Sequence, residues 1–199
     1  MELHMTEVVS LPNPLKDGKT SLEAAFQRRR TVREFSDEPL AMEVISQLLW
    51  SAQGLTHDGY RRTAPSAGAT YPLELYLVNG DGIFQHVTAD HTLLLTIEGD
   101  RRRDLHDASL EQEFILEAPV TLVFTAVFAR TEQRYGSARS PRYIHMEVGH
   151  AAQNVLLQAA AINLGAVPIG AFEDERVSQV MNLPADHVPL YMISIGHPR

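Results

Sequence analysis

The stretch YIHMEVGHAAQNVLLQAAAINL, Tyr143 to Leu164, carries one carboxylate, Glu147, and neither Lys nor Arg. Ala, Val and Leu wrap nearly its whole circumference, as expected of a helix buried on most sides. Ser140-Pro141 ahead of it supplies a cap and a first-turn proline, and Gly165 behind it supplies a stop. At about 1.5 Å per residue the helix is roughly 33 Å long, about the width of the whole domain. It is expected as the central beam of the fold or as part of a subunit interface.

The segments around this beam read as strands mixed with helices. VTLVFTAV (Val120–Val127) has almost no polar relief, as a sheet interior requires, and LYMISI (Leu190–Ile195) gives another strand. Leu73–Val78 and Ile83–Val87 flank NGDG, a hairpin turn. Residues 99–117 read as a broken helix. After Pro39, the residues Val44, Ile45, Leu48, Leu49 and Ala52 share one helical face that Gly54 can close. A capping box of Thr20 and Glu23 predicts a short helix from about Ser21 to Arg30. Residues 55–64 are polar and basic, so they read as a loop. Pro12, Pro14 and Gly18 make residues 1–19 an irregular arm, leaving 20–199 as a single domain. Strict βα alternation is missing, so the class is α+β.

The chain has 199 residues, with 17 basic against 25 acidic side chains and a net charge of −8. Such a surface repels polyphosphate and argues against nucleic acid as the main partner. There is no cysteine, which excludes disulfides, thiolate zinc sites and a Cys nucleophile. The start, MELHMTEVVSLPNP, lacks the basic and apolar regions of a signal peptide, and no run is long and apolar enough to span a bilayer. A cytoplasmic protein is expected. GxSxG, GxGxxG and the phosphate-loop motif do not occur. His145, Glu147, His150 and Asn154 share the long helix, but HExxH is missing; they read as core histidine and buried hydrogen bonding, and no metal is expected.

Three short segments could carry chemistry. In RRRTVREF (Arg28–Phe35), Arg29, Thr31 and Arg33 alternate and would point the same way in an extended chain. They either form an anion site or face water at a helix end. In PSAGATYP (Pro65–Pro72), Ser66 and Gly68 either offer backbone N–H groups to a flat or anionic ligand or pack tightly as a helix start. In GAVPIGAF (Gly165–Phe172), Gly170-Ala171 either lets amides touch a ring or is an ordinary connection.

Together with EQEFILEAPVTLVFTAVF and LYMISIGHP, and in this order along the chain, these stretches resemble the flavin-dependent nitroreductase family. Within it they are most similar to the SagB-type dehydrogenase branch, through SAG-x-x-YPLE and E-x-GH-x-x-QN. The resemblance implies a mixed central sheet flanked by helices, an interlocked homodimer, and FMN at the subunit interface. It also implies NADH or NADPH as co-substrate and a small-molecule acceptor. By the same resemblance Arg29, Arg30, Thr31 and Arg33 hold the flavin phosphate and pyrimidine edge. Pro65, Ser66, Ala67 and Gly68 approach the ring from the partner subunit, and Gln112 supplies an amide. Ile169, Gly170 and Ala171 run near the reactive N5, and Arg199 is the one residue placed to act as the family's basic tail. No side chain is assigned a catalytic role. Azoline-oxidising members carry a Lys-Tyr pair where this chain has Arg134-Tyr135; an arginine stays protonated, which argues against that reaction.

Overall fold

The computed structural model describes residues 7–56 and 59–199. In chain order the elements are β1 (Val8–Ser10), α1 (Leu22–Arg28), α2 (Met42–Gln53), β2 (Leu55–Thr56), β3 (Arg61–Arg62), β4 (Leu73–Val78), β5 (Gly82–Val87) and β6 (Thr92–Glu98). They continue with α3 (Arg102–Ala108), α4 (Phe114–Glu117), β7 (Val120–Ala126), α5 (Phe128–Tyr135), α6 (Ser140–Ala161), β8 (Gly165–Ile169), α7 (Asp174–Val180) and β9 (Val188–Gly196).

A seven-stranded sheet in the order β1-β6-β5-β4-β7-β9-β8 forms the middle layer, and its neighbours pair antiparallel. The parallel contribution to this α+β sheet is the bridge from Thr31 to Ala166. Every residue of the interior strand β7 is buried, which explains its unbroken apolar run. Side chains alternate between faces. Leu73, Leu75 and Leu77 of β4 and Leu122 and Phe124 of β7 pack with α2 and α6. Tyr76, Val78 and Val123 point the other way, onto α3, α4 and α7. The NGDG turn closes the β4–β5 hairpin, with Asn79 Oδ1 accepting from the N–H groups of Asp81 at 2.9 Å and Gly82 at 3.1 Å.

Several local expectations are corrected. The arm is not irregular throughout: Val8–Ser10 form an edge strand on β6. Ser46 then straps the arm down by donating to Pro12 O while its Oγ lies 2.7 Å from His91 Nε2; His91 Nδ1 is 3.3 Å from His86 Nε2. Residues 55–64 include the small β2–β3 hairpin, with 57–58 outside the described residues. The cap of α1 is Ser21, whose Oγ accepts from Ala24 N at 3.2 Å; Thr20 instead donates to Ala161 O at 2.8 Å, satisfying a carbonyl in the last turn of α6. At the other end of α6, Ser140 lies inside the helix and donates to Gly136 O at 2.7 Å. The stop comes at Asn163, in the left-handed region with φ 63°. Gly165 already belongs to β8, where a Cβ would lie 2.7 Å from Val32 Cγ1; it is small so that the Arg29–Phe35 segment can lie against the sheet edge. Among the described residues no helix is long and apolar enough to cross a membrane.

Candidate active site

Arg29 ends α1, its N–H bonding Ala25 O at 2.9 Å, and from there the chain runs extended along the free edge of β8. Val32 N donates to Ala166 O at 3.0 Å. The far end is pinned by Phe35, which is 0% exposed, bridges to Pro198 and donates its N–H to Glu117 Oε2 at 3.3 Å. Beside this strap opens a cleft of about 410 Å³, bordered by Arg28, Arg29, Arg30, Asn163, Leu164 and Pro198, with no carboxylate among its lining residues. In a chain of net charge −8 that is a place for an anion. The structure departs from simple alternation: Arg29 and Arg30 both border the cleft, while Thr31 and Arg33 are exposed and are not among its lining residues. Arg199 follows Pro198, but its guanidinium sits 3.8 Å from Asp37 Oδ1 and its N–H bonds Glu34 O at 3.2 Å.

At the other end of β8, Ile169 is buried whereas Gly170 and Ala171 are exposed. Gln112 reaches them: its Nε2 donates to Ala171 O at 2.9 Å and to Ser109 O at 2.7 Å. The turn that aims Gln112 contains two successive non-glycine residues with positive φ, Leu110 and Glu111, both at 54°. Backbone held in this region costs of order 1–3 kcal/mol per residue and tends to collect at functional sites. Leu110 is 58% exposed, an apolar side chain on this turn that the sequence does not single out; its backbone, not its side-chain type, is the signal.

The third segment lies elsewhere. Ser66 Oγ accepts from Tyr71 N at 2.9 Å, and its hydroxyl stands beside the carboxylate of Glu147, where it favours the charged form. Gly68 has φ 61°, and a Cβ there would lie 2.7 Å from Arg134 Cδ and from the Tyr135 hydroxyl. Arg134 Nη1 donates to Gly68 O at 3.1 Å. The small residue at this point therefore makes room for the chain's own Arg134 and Tyr135, not only for a ligand, while Pro65 and Gly68 remain exposed. Glu147 on α6 is 2% exposed, and its Oε1 has no hydrogen-bond partner. Burial pushes its carboxyl up to about 7, against the downward pull of the Ser66 hydroxyl and Arg62. Arg62 is held nearby by Gln53 Oε1 at 2.8 Å and by the Tyr71 ring, 4.7 Å from the guanidinium carbon.

The expectation that His145 and His150 are core histidines is overturned, since both are exposed. They line an open stripe of α6 with Met146, Gly149 and Gln153. The buried member of that set is Glu147, and half-buried Asn154 donates to Thr63 O at 3.3 Å.

Two groups thus form within one chain: the arginine strap with β8, and the Ser66 cluster. The first borders α6 at Leu156 and Ala160, the second at Glu147. Nine to thirteen helical residues separate Glu147 from that border, about 14 to 20 Å along the axis. A single chain does not fold these halves onto one another along this helix.

With the fold and these clusters in view, the chain belongs to the nitroreductase family, whose model matches residues 26–197. It is 38% identical over 181 residues to a candidate nitroreductase of Methanocaldococcus jannaschii, covering 88% of this chain and 90% of that one. An FMN reductase [NAD(P)H] of Bacillus subtilis is 25% identical over 185 residues, covering 85% of this chain and 62% of that one. A crystal structure of a candidate nitroreductase from Ralstonia eutropha superposes with a TM-score of 0.87 at 28% identity, covering 96% of this chain and 90% of that one.

Proposed function

We propose that this protein is an FMN-dependent oxidoreductase that uses NADH or NADPH to reduce small electron-poor acceptors, nitroaromatic or quinone-like. It would work as a homodimer with one flavin in each of two shared sites. The observation that carries this reading is the acid-free arginine cleft beside β8, at the opposite end of that strand from the exposed Gly170-Ala171 backbone.

The residues suit FMN. Arg28, Arg29 and Arg30 offer charge-assisted donors for its phosphate. Gly170 and Ala171 present backbone without bulk, and Gln112 fixes their path through Ala171 O. Ser66 to Gly68 of a second copy would complete the site; the separation of the two clusters along α6 and the open stripe at Met146, Gly149 and Gln153 support that pairing. Bound flavin supplies a ring that accepts a hydride and gives it up again. The chain's part is to hold the phosphate, fix the ring plane, and meet negative charge with Arg33 and its neighbours.

The purified protein is expected to be yellow through dialysis, to bleach with NADH or NADPH, and to regain colour with a quinone. A colourless protein that takes up no added FMN sinks the reading. Arg29→Ala should weaken FMN binding about 10- to 100-fold, the loss of one charge-assisted hydrogen bond of about 1.5–3 kcal/mol. Fluorescence titration of the flavin-stripped protein measures it.

A second reading is oxidation of a heterocycle in a peptide or other natural product, in the manner of SagB-type dehydrogenases. Arg134 and Tyr135 lie against Gly68, where azoline-oxidising members carry a Lys-Tyr pair, but a permanently protonated Arg134 weighs against this reading. Arg134 would serve there as an anion contact, not as a base. Flavin that binds but is not reduced by either nicotinamide would point instead to a flavin-binding protein without turnover.

A further inference from the structure

A carboxylate packed into a protein interior normally finds an ion-pair partner or several hydrogen bonds. Glu147 has neither in full. Its Oε1 is buried without a hydrogen-bond partner, and the compensating dipole beside the carboxylate is the Ser66 hydroxyl. The facing cation, Arg62 of β3, is committed to Gln53 Oε1 and to the Tyr71 ring, and it forms no ion pair within 4 Å among the described residues. The other charged groups near Arg62, Glu74 of β4 and Arg130 of α5, are paired with each other. From α2 the buried polar side chains are Ser46, Gln47, Ser51 and Gln53, all uncharged. The carboxylate is therefore incompletely compensated, directly beneath the Pro65–Gly68 segment.

We propose that Glu147 is the charge-compensating residue of this site, taking a proton from solvent when negative charge arrives against Ser66–Gly68 and releasing it when that charge leaves. This rests on the functional reading above, because the charge is that of a bound, reducible ligand. Reduction of an acceptor such as a quinone consumes one hydride and one proton. The nicotinamide supplies the hydride and water supplies the acceptor's proton; Glu147 holds a separate compensating proton, drawn from solvent and returned to it. Glu147 does not touch the acceptor; it acts through Ser66 and through its own charge, which makes it a positioning residue. Its carboxyl sits close to neutrality, so a modest change in the local field changes its protonation.

Infrared spectra of the purified protein between pH 8 and pH 6 should show a protonated-carboxyl band that grows as pH falls and is missing in Glu147→Gln. Arg62→Gln should move the midpoint of that band to higher pH, because a facing positive charge is lost, and it serves as the second variant if Glu147→Gln folds poorly. On anaerobic reduction with NADH at pH 7, wild type should differ from Glu147→Gln by about half a proton per flavin, as expected for a group near its midpoint. A wild-type spectrum without the band, or a band that survives in Glu147→Gln, overturns the inference. Equal proton uptake by the two proteins overturns it as well, while leaving the functional reading intact. A chain that binds no flavin sinks both, and the infrared band then still distinguishes a titrating Glu147 from a silent one.

Discussion

Phe35→Ala should lower the unfolding free energy by about 3–5 kcal/mol, the range for deleting a fully buried aromatic ring. Phe35 is 0% exposed and packs with Ala118 and Val167, and Val32 and Phe114 lean on the same cluster. A domain of ordinary stability has about 5–15 kcal/mol in hand, so the variant should be marginal. The same residue holds the arginine strap against the sheet through the bridge to Pro198, so FMN affinity should fall as well although Phe35 borders no part of the cleft. Urea unfolding with an unchanged m-value tests the first effect, and Phe35→Leu should recover most of it, since volume-conserving swaps usually cost under about 1.5 kcal/mol. A loss below about 1 kcal/mol would show that the strap is anchored elsewhere.

The second large effect is on the pH dependence of stability. His86 is 2% exposed; burial, with help from His91 and Arg62, pushes its imidazole down from 6.5 to about 3. A lowered histidine contributes stability that is complete above pH 6.5 and is lost as pH falls toward 3, in all about 4–5 kcal/mol at 1.36 kcal/mol per pH unit. Glu147 has the opposite sign. Its carboxyl is raised from 4.5 to about 7, so the folded state gains stability as pH falls from about 7 to 4.5. In wild type the Glu147 slope opposes that of His86 between pH 6.5 and 4.5, with His91 and His187, whose imidazoles burial also lowers, adding to the fall, and the decline should steepen below pH 4.5. Glu147→Gln removes one slope and leaves the others, so this variant should lose at least about 2–3 kcal/mol between pH 6.5 and 4.5. Urea midpoints across that range decide it: a level profile in Glu147→Gln would mean that His86 does not titrate as its burial demands.

The residues made some of this legible before any coordinates. β4, the NGDG hairpin, β7 and α6 are long or apolar segments whose own pattern matches their place in the fold. Other elements are set by tertiary contacts. α5, FARTEQRY, is polar with one buried residue, Thr131, and is held by Arg130 bonding Tyr71 O at 3.1 Å and pairing with Glu74. β8 contains Pro168, which reads as a strand breaker but is tolerated because β8 is the outer strand beside β9. β1 is not legible because a short apolar run beside Pro12 and Pro14 does not announce which edge it will join, and β6, TLLLTIE, lacks the regular alternation that would mark it as a strand. For the site, residue types pointed to Arg29 and Gly170 and the family resemblance to Gln112, while the burial of Glu147 and the exposure of His150 follow from how α6 is rolled against the sheet, which helical spacing alone does not fix.

The distance between the two clusters on α6 has a genetic reading. A chain crippled in its arginine strap and a chain crippled at Ser66 carry their lesions at different stations of the same helix. If each cavity is built from one station of either subunit, mixed pairs assemble one pocket with both faults and one with none. Co-expressed defective alleles would then rescue each other to a fraction of normal output, which neither could reach alone.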